Sequence, residues 1–202
     1  MLGQFSLFQP SMQLPLRRRV SVEIIEASEA RYTLEKLHYL HRRRTGAQIN
    51  YAVYVNGQID GVITFAYPMM STDLLGVPSD EVLEFARLYL YQNIPHTATC
   101  AIGKVLRRVR ADWKRRFPLC KVPRLVVSYS DTEFHKGTIY KAANFVWYKR
   151  TKGDKRKSAR NSATSKRGFR KQTVDYSHDK DCWLYALNAH DRKMLDGLAA
   201  AP

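Results

Sequence analysis

Apolar and polar residues alternate from Val20 to Ile25, the period of a half-buried strand. Ser28 follows as an N-cap with Glu29 in the first turn, and Leu34, Leu37 and Leu40 recur at helical spacing, so a helix is predicted from Glu29 to Arg43. Ile49 to Val55 and Gln58 to Ala66 read as two strands, joined by Asn56-Gly57, a pair suited to the two positive-φ positions of a type I′ hairpin turn. Pro68 to Pro78 is an irregular connection. Val82 to Tyr91 then alternates strictly, with Leu83, Phe85, Arg87, Tyr89 and Tyr91 on one face and Glu84, Ala86, Leu88 and Leu90 on the other.

From Ala98 to Arg116 the apolar residues Ile102, Val105, Leu106, Val109 and Trp113 define one amphipathic helix, with Arg107, Arg108, Arg110, Lys114 and Arg115 on a basic outer face. Arg124 to Ser130 reads as a buried strand, Gly137 to Ala143 as a short helix and Phe145 to Lys149 as another strand, a strand-helix-strand crossover. Cys182 to Leu187 supplies a last strand and Asp191 to Ala201 a terminal helix or tail. The sum is an α/β single domain, a mixed sheet of about six or seven strands flanked by helices after strands one, four and five. The expected divisions are an N-terminal arm at 1–19, the domain at 20–190 and a tail at 191–202.

Composition narrows the class. The 202 residues include 45% hydrophobic ones, enough for a core, but no apolar run long enough to cross a membrane, and Arg17 to Arg19 follow the mildly apolar N-terminal stretch instead of preceding it as a signal peptide requires. Cys100, Cys120 and Cys182 are scattered, which predicts neither a disulfide framework nor a zinc site and fits a reducing cytosol; the histidines show no metal-ligand spacing either. Lys and Arg number 34 against 18 Asp and Glu, a net charge of +16. The stretch 149–171 holds Lys152, Lys155, Arg156, Lys157, Arg160, Lys166, Arg167 and Arg170 beside a single acid, Asp154, and reads as a mobile basic loop. Clustered charge of this sign predicts a polyanionic partner, because each phosphate contact releases condensed counterions.

Asp131 directly follows the buried strand, at the edge where open α/β sheets place their clefts; it is a candidate proton acceptor or, on the bland reading, a turn aspartate. Tyr140 is either a core aromatic or a hydroxyl donor in the same cleft. Arg87 sits among apolar neighbours, where a guanidinium needs an anionic or carbonyl partner; the alternative is an exposed strand edge.

The element order, together with Tyr140-Lys141-Ala142-Ala143-Asn144-Phe145, resembles the GNAT acyltransferase fold, in which a tyrosine precedes a phenylalanine by five residues; Asn144 stands at the usual glycine and can adopt the same left-handed conformation. Leu37-His38-Tyr39, Glu84-Phe85-Ala86-Arg87, Val127-Ser128-Tyr129-Ser130-Asp131 and Gly137-Thr138-Ile139-Tyr140 together resemble the phage Mom DNA-modification family, from about Leu37 to Gly153. The resemblance implies an enzyme of the bacterial host cytoplasm that converts adenine in double-stranded DNA to N6-(carbamoylmethyl)adenine and protects phage DNA from restriction. It assigns Tyr140 as general acid or oxyanion donor, with Asp131 and Arg87 beside it. Tyr39 stacks on the extruded base, and His38 shuttles a proton or ligates a metal such as iron.

GNAT enzymes hold the coenzyme A pyrophosphate with a glycine-rich turn that opens the helix after the fourth strand. Here the run is Ala98 to Gly103, and only Gly103 is kept, so phosphate binding would fall to backbone amides around Cys100, Ala101 and Gly103. The donor is then a glycyl-tRNA-like aminoacyl ester, with tRNA as a second partner, or acetyl-CoA. Arg42, Arg43 and Arg44, with the basic loop, would track DNA phosphates. The rival readings are a GNAT enzyme acting on a protein or small amine and a non-catalytic DNA-binding protein.

Overall fold

A computed structural model of the chain describes residues 15, 19–38, 40, 44, 46–68, 74–92, 94–153 and 178–199. Its centre is a sheet of seven strands: β1 (Val20–Ile25), β2 (Gln48–Val55), β3 (Gln58–Ala66), β4 (Val82–Leu90), β5 (Leu125–Asp131), β6 (Val146–Thr151) and β7 (Lys180–Ala186), in the order β1-β2-β3-β4-β5-β7-β6. All neighbours are antiparallel except β4 and β5. The helices are α1 (Ala27–Tyr32), α2 (Thr97–Leu106), α3 (Val109–Arg116), α4 (Thr138–Ala142) and α5 (Ala189–Ala199). Among the described residues no helix is long and apolar enough to cross a membrane.

The sheet is covered on both faces. Ile102, Val105, Val109 and Trp113 of α2 and α3 pack on Tyr51, Ile63, Phe65, Leu83 and Phe85. On the other face Leu195 of α5 meets Val82, Leu125, Val127 and Leu184, and Ala30 and Leu34 meet Val62. The hairpin forms as the alternation predicts, with Asn56 at φ 53° and Gly57 at φ 79°. The start of β5 is tied to α5 by Arg124, whose guanidinium grips both oxygens of the buried Asp191 carboxylate at 2.9 and 2.6 Å.

Three elements differ from the sequence reading. The first helix is shorter: after Tyr32 it widens into a π turn (Thr33–Leu37) and stops, which leaves His38 beyond the helix in an extended conformation. Its N-cap is Glu26, paired reciprocally with Glu29, and not Ser28. The helix expected from Ala98 to Arg116 is two helices, broken at Arg107–Arg108, where Arg108 turns to Asp112 at 2.5 Å and to the Val22 carbonyl at 3.1 Å. The strand β6 runs on to Thr151, so 149–151 are ladder residues and not loop.

A fourth departure bears on the site. In β4, Arg87 pairs with Thr64 but Phe85 pairs with Phe65, so Ala86 is an extra residue in the strand, a β-bulge. The bulge resets the alternation. Leu88 and Leu90 join Leu83 and Phe85 against the main core, and Arg87 moves to the opposite face, correcting the expectation that it shares a face with Leu83 and Phe85.

Candidate functional site

The parallel pair β4 and β5 is joined over three residue pairs only, Val82 with Leu125 to Glu84 with Val127, and the bulge follows at once. Beyond it the strands part. A cavity of about 540 Å³ opens there, lined by Ala86, Arg87 and Leu88 of β4, Tyr129 of β5, the turn Phe134 to Gly137, Tyr140 and His38. Its size lies in the range of small-molecule sites.

Tyr140 forms one wall. Its ring stacks on Trp183 of β7 at 5.5 Å and 11° and meets Phe85 and Phe145 edge-on. The Ser128 hydroxyl donates to the Phe85 carbonyl at 2.9 Å, and its oxygen lies 3.1 Å from the Tyr140 phenol, within hydrogen-bond reach. Local sequence places this wall. Gly137 caps α4 at φ 71°, and a Cβ there would stand 2.1 Å from the Trp183 ring, so only glycine lets α4 start against that indole. Asn144 ends the turn at φ 62°, the left-handed geometry expected of it, and sends Phe145 back under Tyr140.

Arg87 is 6% exposed and donates to the Ala86 carbonyl at the bulge, 2.5 Å away. His38 is also buried; its Nδ1 accepts the Leu40 N–H at 3.2 Å, so the neutral ring carries its proton on Nε2 and acts as a donor there. Burial raises the Tyr129 phenol well above its ordinary pKa and pushes the Cys182 thiol up to about 11, so both are neutral near pH 7.

Asp131 is near the cavity but not among the residues lining it. Its Oδ1 accepts the Glu133 N–H at 3.1 Å and its carbonyl accepts the amides of Phe134 and His135, so it organises the turn that carries the mouth of the cavity. Its Oδ2 lies 3.3 Å from His178 Nδ1, and His178 Nε2 lies 2.5 Å from Glu133. Among the described residues, metal-type ligand atoms converge at Asp131, Glu133 and His178, within 4.8 Å of one another. Both imidazole nitrogens face carboxylates.

Two expectations are corrected. Arg44 is not a phosphate contact: its side chain is 5% exposed and its guanidinium is spent on Glu84 at 2.8 Å and the Tyr67 carbonyl at 2.7 Å. Cys100, Ala101 and Gly103 do not offer free helix-end amides, because α2 already starts at Thr97; Cys100 donates to the His96 carbonyl, and Ala101 and Gly103 lie inside the helical ladder. The first-turn amides belong to Ala98 and Thr99. Lys152 is exposed just after β6, whereas Tyr39, Arg42, Arg43, Lys155, Arg156, Lys157, Arg160, Lys166, Arg167 and Arg170 lie outside the described residues.

Thus the structure brings His38, Arg87 and Tyr140 to one cavity and sets Asp131 at its rim. Ser128, Phe134, Trp183 and His178 were missed. Ser128 sits within the Val-Ser-Tyr-Ser-Asp run that could have drawn notice, but Trp183 and His178 come from the far end of the chain and carry no local signal.

A model of the Mom protein family matches residues 19–194. No curated protein matches the chain in sequence. In three dimensions it is similar to a spermidine N-acetyltransferase from Vibrio cholerae solved with CoA and spermine, at TM-score 0.53 and 10% identity, over 84% of this chain and 96% of that one. A spermidine/spermine N-acetyltransferase from Vibrio cholerae solved with manganese ions gives TM-score 0.50 at 9% identity, over 89% and 99%. These likenesses identify the fold as that of the GNAT acetyltransferases.

Proposed function

The chain belongs to the Mom protein family, and from that premise we propose that it is a transferase acting on adenine in double-stranded DNA, with N6-(carbamoylmethyl)adenine as product. The observation that carries the reading is the cavity at the parting of β4 and β5, which Tyr140, Arg87 and His38 line together. An adenine inside a duplex cannot present its amino group to a cavity, so the base must be extruded into it.

The donor is an activated glycyl ester such as glycyl-tRNA. N6 attacks the ester carbonyl, the new N6–C bond forms and the C–O bond to the carrier breaks. Tyr140 gives its proton to the departing oxygen and recovers the one that N6 releases, while the Ser128 hydroxyl turns its proton from the Phe85 carbonyl to steady the intervening phenolate. In this reading Arg87 and the Nε2–H of His38 hold the carbonyl oxygen as charge develops. The glycyl amine then attacks C6 through a five-membered ring and displaces the original nitrogen, which keeps the carbonyl and becomes the amide. All atoms of the glycyl group and the base are retained in that rearrangement. An acetyl group could not follow this route without a separate amination.

The first turn of α2 contains no cationic side chain, which also favours a donor other than acetyl-CoA. The exposed Lys and Arg of the chain and its net charge of +16 suit DNA and tRNA alike. The test is to express the chain in cells supplied with glycine labelled at nitrogen and to analyse DNA nucleosides by mass spectrometry. The expected product carries the label on the nitrogen bonded to C6. Modified adenine without that label would overturn the glycyl route, and unmodified DNA would overturn the enzyme reading.

A further inference from the structure

We infer that Phe134 is the side chain that enters the DNA stack as the adenine leaves it. This rests on the adenine-modifying reading above and adds to it the residue that holds the duplex open.

Phe134 is 64% exposed, yet it lines the cavity into which the base must pass. Single exposed aromatics are common on protein surfaces, and exposure alone would say little. Here the backbone beneath the ring is pinned. The amides of Phe134 and His135 both donate to the Asp131 carbonyl, at 3.3 and 2.8 Å, and the Glu133 amide donates to the Asp131 side chain. The ring is also backed from one side: it meets the His178 imidazole edge-on at 5.6 Å, and that imidazole is fixed between Asp131 and Glu133. Thr132 ties the same turn to the start of β7, its amide and hydroxyl both donating to the Asp179 carbonyl at 3.0 Å.

A preorganised apolar ring at the mouth of a base-sized cavity loses little freedom when it inserts. The next two residues, His135 and Lys136, line the same cavity, and the Lys136 ammonium brings positive charge within reach of the flanking phosphates. Wedges of this kind replace the stacking that a departing base gives up and lower the cost of extrusion.

The test compares full-length parent, Phe134→Ala and Phe134→Trp on two duplexes, one with the target adenine normally paired and one with it opposite an abasic site. Product is read by nucleoside mass spectrometry, and extrusion by the fluorescence of 2-aminopurine at the target. Loss of one stacked aromatic corresponds to about a tenfold to hundredfold decrease. Phe134→Ala is expected to lose that much on the paired duplex, to match the parent within about twofold at the abasic site, and to show a weaker fluorescence rise; Phe134→Trp is expected to restore all three. An equal loss on both duplexes, or no loss on either, overturns the wedge while leaving the adenine reading intact. A parent inactive on every DNA overturns the adenine reading and the wedge with it.

Discussion

The wall of the cavity and its mouth are built in opposite ways. At the wall, Tyr140 is locked by rings: Trp183 lies flat against it, Phe85 and Phe145 close its edges, and Ser128 meets the hydroxyl. At the mouth, Asp131 is locked by polar bonds to its own turn and to His178, and the large apolar ring of Phe134 faces out. A side chain held by ring stacking keeps its hydroxyl for chemistry. A carboxylate that already accepts a backbone amide and faces an imidazole acts chiefly by holding the chain in place. The difference predicts two kinds of defect, a chemical one at the wall and a positional one at the mouth.

The largest effect should come from Tyr140→Phe. The ring and its stacking on Trp183 stay, so the melting temperature should fall only slightly, by the equivalent of about 1 kcal/mol for the lost Ser128 bond. Removing a proton-transfer group typically lowers the rate about a hundredfold to ten-thousandfold. Nucleoside mass spectrometry at saturating DNA should show that loss with DNA affinity unchanged; activity near that of the parent would erase the distinction between wall and mouth.

Gly137→Ala attacks the joint between the two regions. It forces a left-handed residue to carry a Cβ and drives that carbon into Trp183. Strain of that backbone and overpacking each cost about 1–3 kcal/mol, so unfolding by denaturant should show a loss of about 2–4 kcal/mol. A neutral result would mean that Trp183 can move without penalty, and the stacking that fixes Tyr140 would then be loose.

The wall was more legible in the sequence than the mouth, for a physical reason. The hairpin, the strands and the left-handed Asn144 follow from local alternation and turn chemistry, and the Tyr140 to Phe145 spacing lies within one short segment. The bulge at Ala86 was invisible because apolar residues at Leu83, Phe85, Leu88 and Leu90 satisfy either register in part. The end of the first helix was hidden by Leu40, which continues the helical spacing past the π turn. Arg44 looked like part of a basic surface because its partner, Glu84, lies on another element. His178 reaches Asp131 from the start of β7, so no motif within β5 could announce it.

The two ends of β5 sharpen the comparison further. At its start Arg124, with Asn188, holds the Asp191 carboxyl below the usual carboxylate range. A depressed folded pKa contributes stability above the unfolded carboxylate value, near 3.9, and loses it as pH falls through the folded one. Asp191→Asn should therefore cost about 1.5 kcal/mol at pH 7, a figure discounted because Arg124 is 34% exposed, with the gap to the parent closing below about pH 4. Denaturation at several pH values measures it. A gap independent of pH would show that Asp191 acts through its shape and not its charge.

The smallest effect, and the one that separates the two regions most directly, is expected at Asp131. Asparagine can still accept the Glu133 amide and so keeps the turn, but it no longer offers an anion to His178, which loosens the support behind Phe134. Alanine removes both contacts. If Asp131 is a positioning residue, Asp131→Asn should lower modification of a paired duplex about fivefold, chiefly through KM, an effect of the size of one modest hydrogen bond. Asp131→Ala should lose more. Both should recover at an adenine opposite an abasic site, where the mouth has less work to do in opening the stack. A chemical role gives a different pattern: kcat would fall at least a hundredfold in both variants and on both duplexes, as for Tyr140→Phe. That outcome would place the Asp131 carboxylate among the reacting groups and would require the turn to open before chemistry, since its Oδ1 is held by Glu133 and its Oδ2 faces His178.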